Sequence, residues 1–399
     1  MSILLGILAI IITLGLAFLM SNKKKKINLK GIGIMLVLQL LITWFMFSTT
    51  IGASIIKGIS AVFNKLIEFG TEGVNFVLGG FEVAEGGVFF FNVLLLIIFF
   101  ATLLSVLTYL KILPAIIKYV GAAISKVTGL PRIESFNGVN SIFFGQSEAL
   151  IAIRSQFHHL NENRLYIVSA SAMGSVSASI VGAYIQILPP EYILVALPLN
   201  MFSALMIASI IAPVEVPKEE DKVDISDVSQ DKSIFEAMGN GALEGGKIAL
   251  IVAAMLIAFI ASLELVNWII QFVFSGFSAD ITLETILGYI LAPIGILMGI
   301  APSEVIEAGS IMGTKIVTNE FVAMTQFQPL LDEMSEKTIG IVTVFLTSFA
   351  NFSSIGIIAG TVKGIDSKKA VSVSQFGMKL LIGSILASIL SATIVGLFL

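Results

Sequence analysis

The chain has 399 residues, 56% of them hydrophobic and only 13% charged, with a mean hydropathy of +0.99 and a net charge of −4. This composition excludes a soluble globular domain and identifies an integral membrane protein; the small charge, with its acids gathered in one loop, argues against nucleic acid as a partner. With no cysteine, the chain has no disulfide, thiolate metal site, haem attachment, iron–sulfur ligation or S-acylation.

A hydrocarbon core about 30 Å thick needs about 20 apolar residues of helix. That length predicts eight spans, near 3–20, 31–48, 89–110, 164–188, 191–212, 246–272, 339–362 and 375–398. The first apolar segment, Ser2 to Met20, lacks a small-residue cleavage site and is read as a retained helix, not a signal peptide. The stretch 55–80 spaces its apolar residues at helical intervals but carries two lysines and two glutamates, as a helix lying in the interface would. Two further stretches, 112–158 and 283–330, are apolar yet interrupted by Gly, Pro and acids, the pattern of re-entrant helical hairpins. Broken backbone at membrane depth is tolerated only where protein buries it or it lines a cavity.

The run SNKKKKINLK, with Lys23 to Lys26 and Lys30, lies between the first two spans and is expected on the cytoplasmic side, with the N-terminus outside. Threading onward places 19 of the 23 basic residues inside, Lys218 and Lys222 among them; Lys57, Lys65 and Lys337 fall outside and Lys315 falls within the second hairpin. The acidic loop EVPKEEDKVDISDVSQDKS reads as a disordered cytoplasmic linker between two halves. The domain expectation is therefore scaffold helices and the interfacial helix over 1–110, a first repeat over 111–213, the linker over 214–235, a scaffold helix over 236–280 and a second, inverted repeat over 281–399.

The halves resemble each other. In the first, a hairpin ends with GQSEALIAI (Gly145 to Ile153) and the next span carries SASAMGSVSASIVGAY (Ser169 to Tyr184); in the second, a hairpin ends with VTNEFVAM (Val317 to Met324) and the next span carries LTSFANFSSIGIIAG (Leu346 to Gly360). Each half thus has a polar, polar, Glu triplet followed by a broken helix rich in small and polar residues. The threaded topology inserts the hairpins from opposite sides, so the repeats are inverted, the plan of many secondary transporters with a midplane substrate site. The expected fold is an all-α polytopic membrane protein with eight transmembrane helices, two re-entrant hairpins, an interfacial helix and inverted repeats with broken helices.

An acidic side chain at the bilayer centre costs roughly 2.5 to 3.5 kcal/mol, so Glu148 and Glu320 are expected to face a protein interior or a water-filled cavity. Burial disfavours a charged carboxyl, and either glutamate can carry a proton or bind a polar ligand. The competing reading, a structural glutamate accepting backbone N–H bonds, is weakened by the presence of two in equivalent places. Asn351 and Gln146 each bring two donors and two acceptor lone pairs, which suits a neutral ligand rich in hydroxyl and amide groups, a nucleoside or a sugar. Ser353 and Ser354, near Gly356 and Gly360, also fit simple helix packing. His158 and His159 lack an HExxH pattern and are placed at a hairpin base on different faces of a helix. Glu264, near the interfacial Trp268, is assigned a snorkelling or packing role, and Glu304 and Glu307 are assigned to capping the helix after Pro302.

GQSE, TNEFVAM and SFANFSSIGIIAG, in this order and at these distances, resemble the motifs of the concentrative nucleoside transporters, and the resemblance covers nearly the whole chain. It implies a homotrimer in a bacterial-type inner (plasma) membrane, carrying nucleosides of the uridine, cytidine and adenosine class inward by an elevator-like movement. No cofactor is implied, only a coupling ion, H+ or Na+. By motif, Gln146, Ser147 and Glu148 would contact the base with help from Ile180, while Glu320, Asn351 and Ser354 would hold the ribose beside Phe349. Two departures stand out: Ser147 replaces a frequent threonine, and Ser141 occupies the place, five before Gln146, where sodium-coupled members have an asparagine ligand. The remaining ion positions fall at Phe144, Ser175 and Val176; Asn140 is adjacent but turned by about 100°. The pattern resembles the proton-coupled bacterial branch, with Glu148 and Glu320 as proton carriers. Of the rival classes, a channel would show a repeated carbonyl-donating filter, which is absent here, and an intramembrane enzyme would need a nucleophile with a base or a metal set.

Overall fold

The computed structural model describes residues 2–79, 88–217, 221, 231–274 and 281–399. Most of the acidic linker of 214–235, including Lys218 and Lys222, lies outside the described residues. Every regular element among those described is helical.

Four helices open the chain: α1 (Ser2–Leu19), α2 (Leu29–Ser48), α3 (Thr50–Leu78) and α4 (Leu96–Tyr109), the last entered through a π-helical turn at Phe90–Leu94. Asn28 caps α2 by accepting from the Gly31 N–H at 2.9 Å, and Thr49 caps α3 through Gly52 at 3.0 Å. The turn between α2 and α3 is so tight that a Cβ on Gly52 would lie 2.0 Å from the Phe45 carbonyl oxygen.

The first repeat holds α5 (Ile112–Thr128), α6 (Arg132–Phe143), α7 (Gln146–Ala152), α8 (Glu162–Met173), α9 (Ala178–Tyr184) and α10 (Pro190–Ile211). After α11 (Ile234–Phe274), the second repeat runs through α12 (Leu283–Met298), α13 (Val305–Val317), α14 (Glu320–Phe327), α15 (Glu336–Leu346), α16 (Phe352–Ile365) and α17 (Ser367–Gly396). The element order is the same in both halves: a lone helix, a helix pair split by a short break, a second split pair, and a long unbroken helix.

The stretches 112–158 and 283–330 are therefore not single hairpins. Leu113, Ile117, Gly121, Ile124 and Thr128 form one buried stripe along α5 while Tyr119 is exposed, so α5 is an amphipathic helix in its own right. It ends at Gly129 with φ 71°, and α12 ends in the same way at Gly299 with φ 99°, each left-handed glycine closing its helix before a proline turns the chain. The hairpins proper are α6–α7 and α13–α14. Two smaller readings also change. The His158 and His159 rings lie 3.8 Å apart because their segment is a 3₁₀ turn, not an α-helix. Glu304 makes no cap on α13; its carboxylate accepts from the Ser335 N–H at 3.0 Å and hydroxyl at 2.8 Å, at the start of α15.

Seven described helices are long and apolar enough to cross a membrane, by length and composition. Six coincide with expected spans; the seventh is α3, which sequence placed in the interface, while α1 is short and α15–α16 is broken. Burial separates two zones. The window through α8 and α9 is 94% buried and α10 83%, against 17% for α11 and 11% for α3. Both repeats thus pack around α8–α10 and α17, and α3 and α11 keep most of their apolar surface outward. On α11, Gly241 and Gly245 let α4 approach closely: a Cβ on either would sit 2.8 Å from the Thr102 Cα or 2.6 Å from the Ile98 Cα.

Charge holds the ends. Arg164 on α8 forms a two-pronged, fully buried ion pair with Glu134 on α6 (2.6 and 3.0 Å), which fixes the first hairpin to the first broken helix. At the same end Lys26 meets Glu215 at 2.7 Å and holds that carboxyl below the usual carboxylate range; Lys369 donates to the Phe157 and Leu160 carbonyls there. Lys337 donates to the Gly396 carbonyl at the opposite end.

Candidate functional site

Both breaks in each half are set by local chemistry. Phe144 and Gly145 are extended, which ends α6 and starts α7 at Gln146; a Cβ on Gly145 would lie 2.5 Å from Glu148 Oε2, so the carboxylate folds over a backbone that has no room for a side chain. Ser177 caps α9, Asn319 caps α14 by accepting from the Val322 N–H at 3.0 Å, and Asn351 caps α16 by accepting from the Ser354 N–H at 3.0 Å. The polar residues of the motifs are thus helix starts. The two broken helices are joined where they break: the Phe349 N–H donates to the Ser175 carbonyl at 3.2 Å.

These helix starts converge on a cavity of about 280 Å³. All eight residues expected to bind substrate line it: Gln146, Ser147, Glu148 and Ile180 from the first half, and Glu320, Phe349, Asn351 and Ser354 from the second. Positive helix N-terminal ends favour negative charge, which explains how Glu148 and Glu320 sit in so apolar a chain. Glu320 is 5% exposed. Its Oε2 accepts from Asn351 Nδ2 at 3.2 Å and its Oε1 from the Tyr184 hydroxyl at 3.0 Å. Ser147 Oγ accepts from Thr361 Oγ1 at 2.9 Å. Two buried oxygens, Gln146 Oε1 and Ser354 Oγ, have no hydrogen-bond partner among the described residues.

Of the expected ion positions, Glu148 and Glu320 line that cavity and the other four do not. Ser141, Ser175 and Val176 are buried and do not line it, and Phe144 lines an adjoining cavity that shares Gly145, Glu148, Ser177 and Ile248 with the first. The Ser141 hydroxyl donates to the Asn137 carbonyl at 2.7 Å and Ser175 to the Ser171 carbonyl at 2.9 Å, each within its own helix. Asn140 Nδ2 donates to the Ala149 carbonyl at 3.2 Å, bridging the hairpin, and its Oδ1 has no partner among the described residues.

Sequence reading missed Tyr184. It is fully buried, holds Glu320 and packs edge-on against Phe321, with ring centroids 4.9 Å apart. Its only signal was its place at the end of the polar broken helix. Also missed were Ile248, Ile251, Val252 and Met255 of α11, which close the cavity with an apolar wall; nothing in an apolar span marks which face meets a site. Glu264, farther along α11, is exposed and is not among the lining residues. Glu264→Gln is accordingly expected to leave uptake within about twofold of wild type, as surface substitutions rarely exceed ~0.5 kcal/mol; a larger loss in a transport assay would give this carboxylate a role the geometry does not.

Comparison with known proteins covers the whole chain. Residues 8–81 match the model described as Na+ dependent nucleoside transporter N-terminus, residues 90–191 match nucleoside recognition, and residues 192–396 match Na+ dependent nucleoside transporter C-terminus. The purine nucleoside transport protein NupG of Bacillus subtilis is 38% identical over 399 residues, all of both chains. The nucleoside permease NupC of Helicobacter pylori is 33% identical over 96% of this chain and 95% of its own. Among solved structures, CNTnw in an inward-facing substrate-bound state superimposes with a TM-score of 0.94 at 30% identity, covering 100% of this chain and 98% of that one.

Proposed function

The chain belongs to the concentrative nucleoside transporter family, and from that premise we propose that it imports nucleosides by symport with protons, exposing its central cavity alternately to the two sides of a bacterial plasma membrane. The observation that carries this reading is the cavity itself, where two carboxylates and three amides converge from both repeats, with two oxygens, Gln146 Oε1 and Ser354 Oγ, unpartnered among the described residues. A buried polar atom without a partner costs about 1 to 3 kcal/mol. A nucleoside would supply the missing donors: a base edge to Gln146 Oε1, and ribose hydroxyls to Ser354 Oγ and Glu320.

Each Glu320 oxygen accepts one bond from protein, and a carboxylate has about four acceptor sites in all. Two ribose hydroxyls can therefore donate to it without displacing Tyr184 or Asn351. Ile180, Phe349 and the α11 wall would pack against the apolar faces of the base and sugar. Loss of the 2′- or 3′-hydroxyl leaves an acceptor unpaired.

The repeats, α5–α10 and α12–α17, form the body that moves, and α1–α4 with α11 form the scaffold. The outward apolar faces of α3 and α11 suit contact with lipid and with the other subunits of a homotrimer. The lysine-rich end faces the cytoplasm and the N-terminus lies outside.

Proton coupling is favoured by the Ser141 hydroxyl, a single oxygen turned into its own helix, in place of an amide carbonyl. Glu148 and Glu320 are the proton carriers. Sodium coupling is the second reading, and the unpartnered Asn137 and Asn140 carbonyl oxygens beside Ser141 favour it. Uptake of labelled uridine and of a purine nucleoside into proteoliposomes separates the two. An inward proton gradient without sodium is expected to drive accumulation. Accumulation under an inward sodium gradient alone, at equal pH, would overturn proton coupling and make Asn140 a working ligand; no uptake under either gradient would overturn the substrate.

A further inference from the structure

Tyr184 is the last residue of α9, fully buried, one turn beyond the cavity-lining Ile180. Among the described residues its hydroxyl makes one hydrogen bond, donated to Glu320 Oε1 at 3.0 Å. The donor belongs to the first repeat and the acceptor to the second, so the bond ties the two halves together behind the cavity wall. Phe321, next in sequence to Glu320, packs edge-on against the Tyr184 ring at 4.9 Å and against Phe89 at 6.5 Å. A phenol hydroxyl buried among such rings needs an acceptor, and Glu320 is the one it meets.

Glu320 is thereby held at both oxygens. Tyr184 fixes Oε1 from one repeat, and Asn351 fixes Oε2 at 3.2 Å from the other. The last side-chain torsion of a glutamate is otherwise broad and soft; pinned at two points, the carboxyl keeps one plane, and its remaining lone pairs keep their directions. Two neighbouring ring hydroxyls present their donors at a fixed spacing, and they bind best where the acceptors are already set to receive them. Both bonds are ones that Glu320 accepts, and a protonated carboxyl retains acceptor capacity, so the clamp works whether or not the group carries a proton.

The first half has no such clamp. Among the described residues no other side chain donates to Glu148. Seven residues after the cap of each helix, Tyr184 in α9 corresponds to Ile358 in α16, an apolar side chain with no hydroxyl to offer. The two glutamates are equivalent in sequence, yet only Glu320 is held in one orientation.

We propose that Tyr184 is a positioning residue that sets the carboxyl plane of Glu320 and so determines specificity for a vicinal diol, favouring ribonucleosides over their deoxy forms. The proposal rests on the nucleoside reading, and it adds to the determinants of the sugar a residue that does not itself line the cavity.

The test is initial uptake by proteoliposomes of wild type and Tyr184→Phe, over a range of concentrations of adenosine and uridine and of their 2′-deoxy and 3′-deoxy forms. Phenylalanine keeps the ring against Phe321 and removes one oxygen. In the wild type, loss of either hydroxyl is expected to lower kcat/KM about tenfold. In Tyr184→Phe the ribonucleosides are expected to lose about tenfold, through a raised KM, and the deoxy forms about twofold, so that the preference shrinks about fivefold. Equal losses for every substrate, a preference that stays or grows, or a wild type that transports all forms equally would overturn the proposal, since a merely structural hydroxyl does not act on the sugar. A Tyr184→Phe chain that does not fold would also overturn it, by making the hydroxyl a strut of the fold. A wild type that takes up none of these compounds overturns the transport reading, and the proposal falls with it; a transporting wild type whose preference the variant keeps overturns the proposal alone.

Discussion

Nucleoside uptake by Glu320→Gln proteoliposomes is expected to fall to the level of protein-free vesicles. Glu320 accepts from Tyr184 and Asn351 with one oxygen each and has acceptor capacity left toward the cavity. Glutamine keeps the shape but replaces an acceptor oxygen by an NH₂ group. Facing Asn351 that group sets donor against donor, and facing Tyr184 it forces the hydroxyl to accept in place of donating, so either way the substitution removes a charge and an acceptor. Hydrogen bonds to a charged group contribute about 1.5 to 3 kcal/mol each, so loss of two toward the substrate weakens binding by roughly two orders of magnitude or more, and a protonation site disappears with them. The measurement is initial uptake rate at saturating and subsaturating nucleoside. A rate within a few-fold of wild type would remove Glu320 from the site.

Asn351→Ala should reduce uptake at least twentyfold, for a different reason. One amide does two jobs: its oxygen caps α16 through the Ser354 N–H and also accepts from the Ser353 hydroxyl, while its nitrogen donates to Glu320. Loss of an N-cap alone costs about 0.5 to 2 kcal/mol, and here it also loosens the turn that aims Ser354 into the cavity. Asn351→Ser separates the two roles, since a serine hydroxyl can restore the cap but has no amide nitrogen to donate to Glu320. The melting temperature should therefore recover in Asn351→Ser while uptake stays low. Recovery of both would mean that the cap alone matters.

How much of this was legible beforehand differs by element. Long apolar runs announce themselves, and α2, α10, α11 and α17 lie where the hydropathy placed them. The broken helices were legible from their small and polar residues, because a helix interior at membrane depth has little other use for Asn319 or Asn351. The amphipathic α5 and α12 were not separated from their hairpins. Their glycine and proline boundaries look the same in sequence whether the chain turns back or passes on to a new helix. Tyr184 gave no sign beyond its place at the end of the polar broken helix, since a tyrosine in an apolar segment has the same local pattern whether its hydroxyl meets lipid headgroups or a carboxylate 136 positions away.

The sequence by itself determined the membrane class, the internal repeat, the helix breaks and the identity of the side chains gathered at them. Each of these is a local property, written in hydropathy over about 20 residues or in the capping chemistry of a single turn. Only the tertiary structure decided which polar groups meet: that Tyr184 and Asn351 share Glu320, that the two breaks join through Phe349 and Ser175, and that Lys315 is spent on the Phe345 carbonyl. Those pairings depend on how helices far apart in the chain are brought side by side, and within a bilayer they are chosen by packing and by the cost of leaving any buried donor or acceptor unmet.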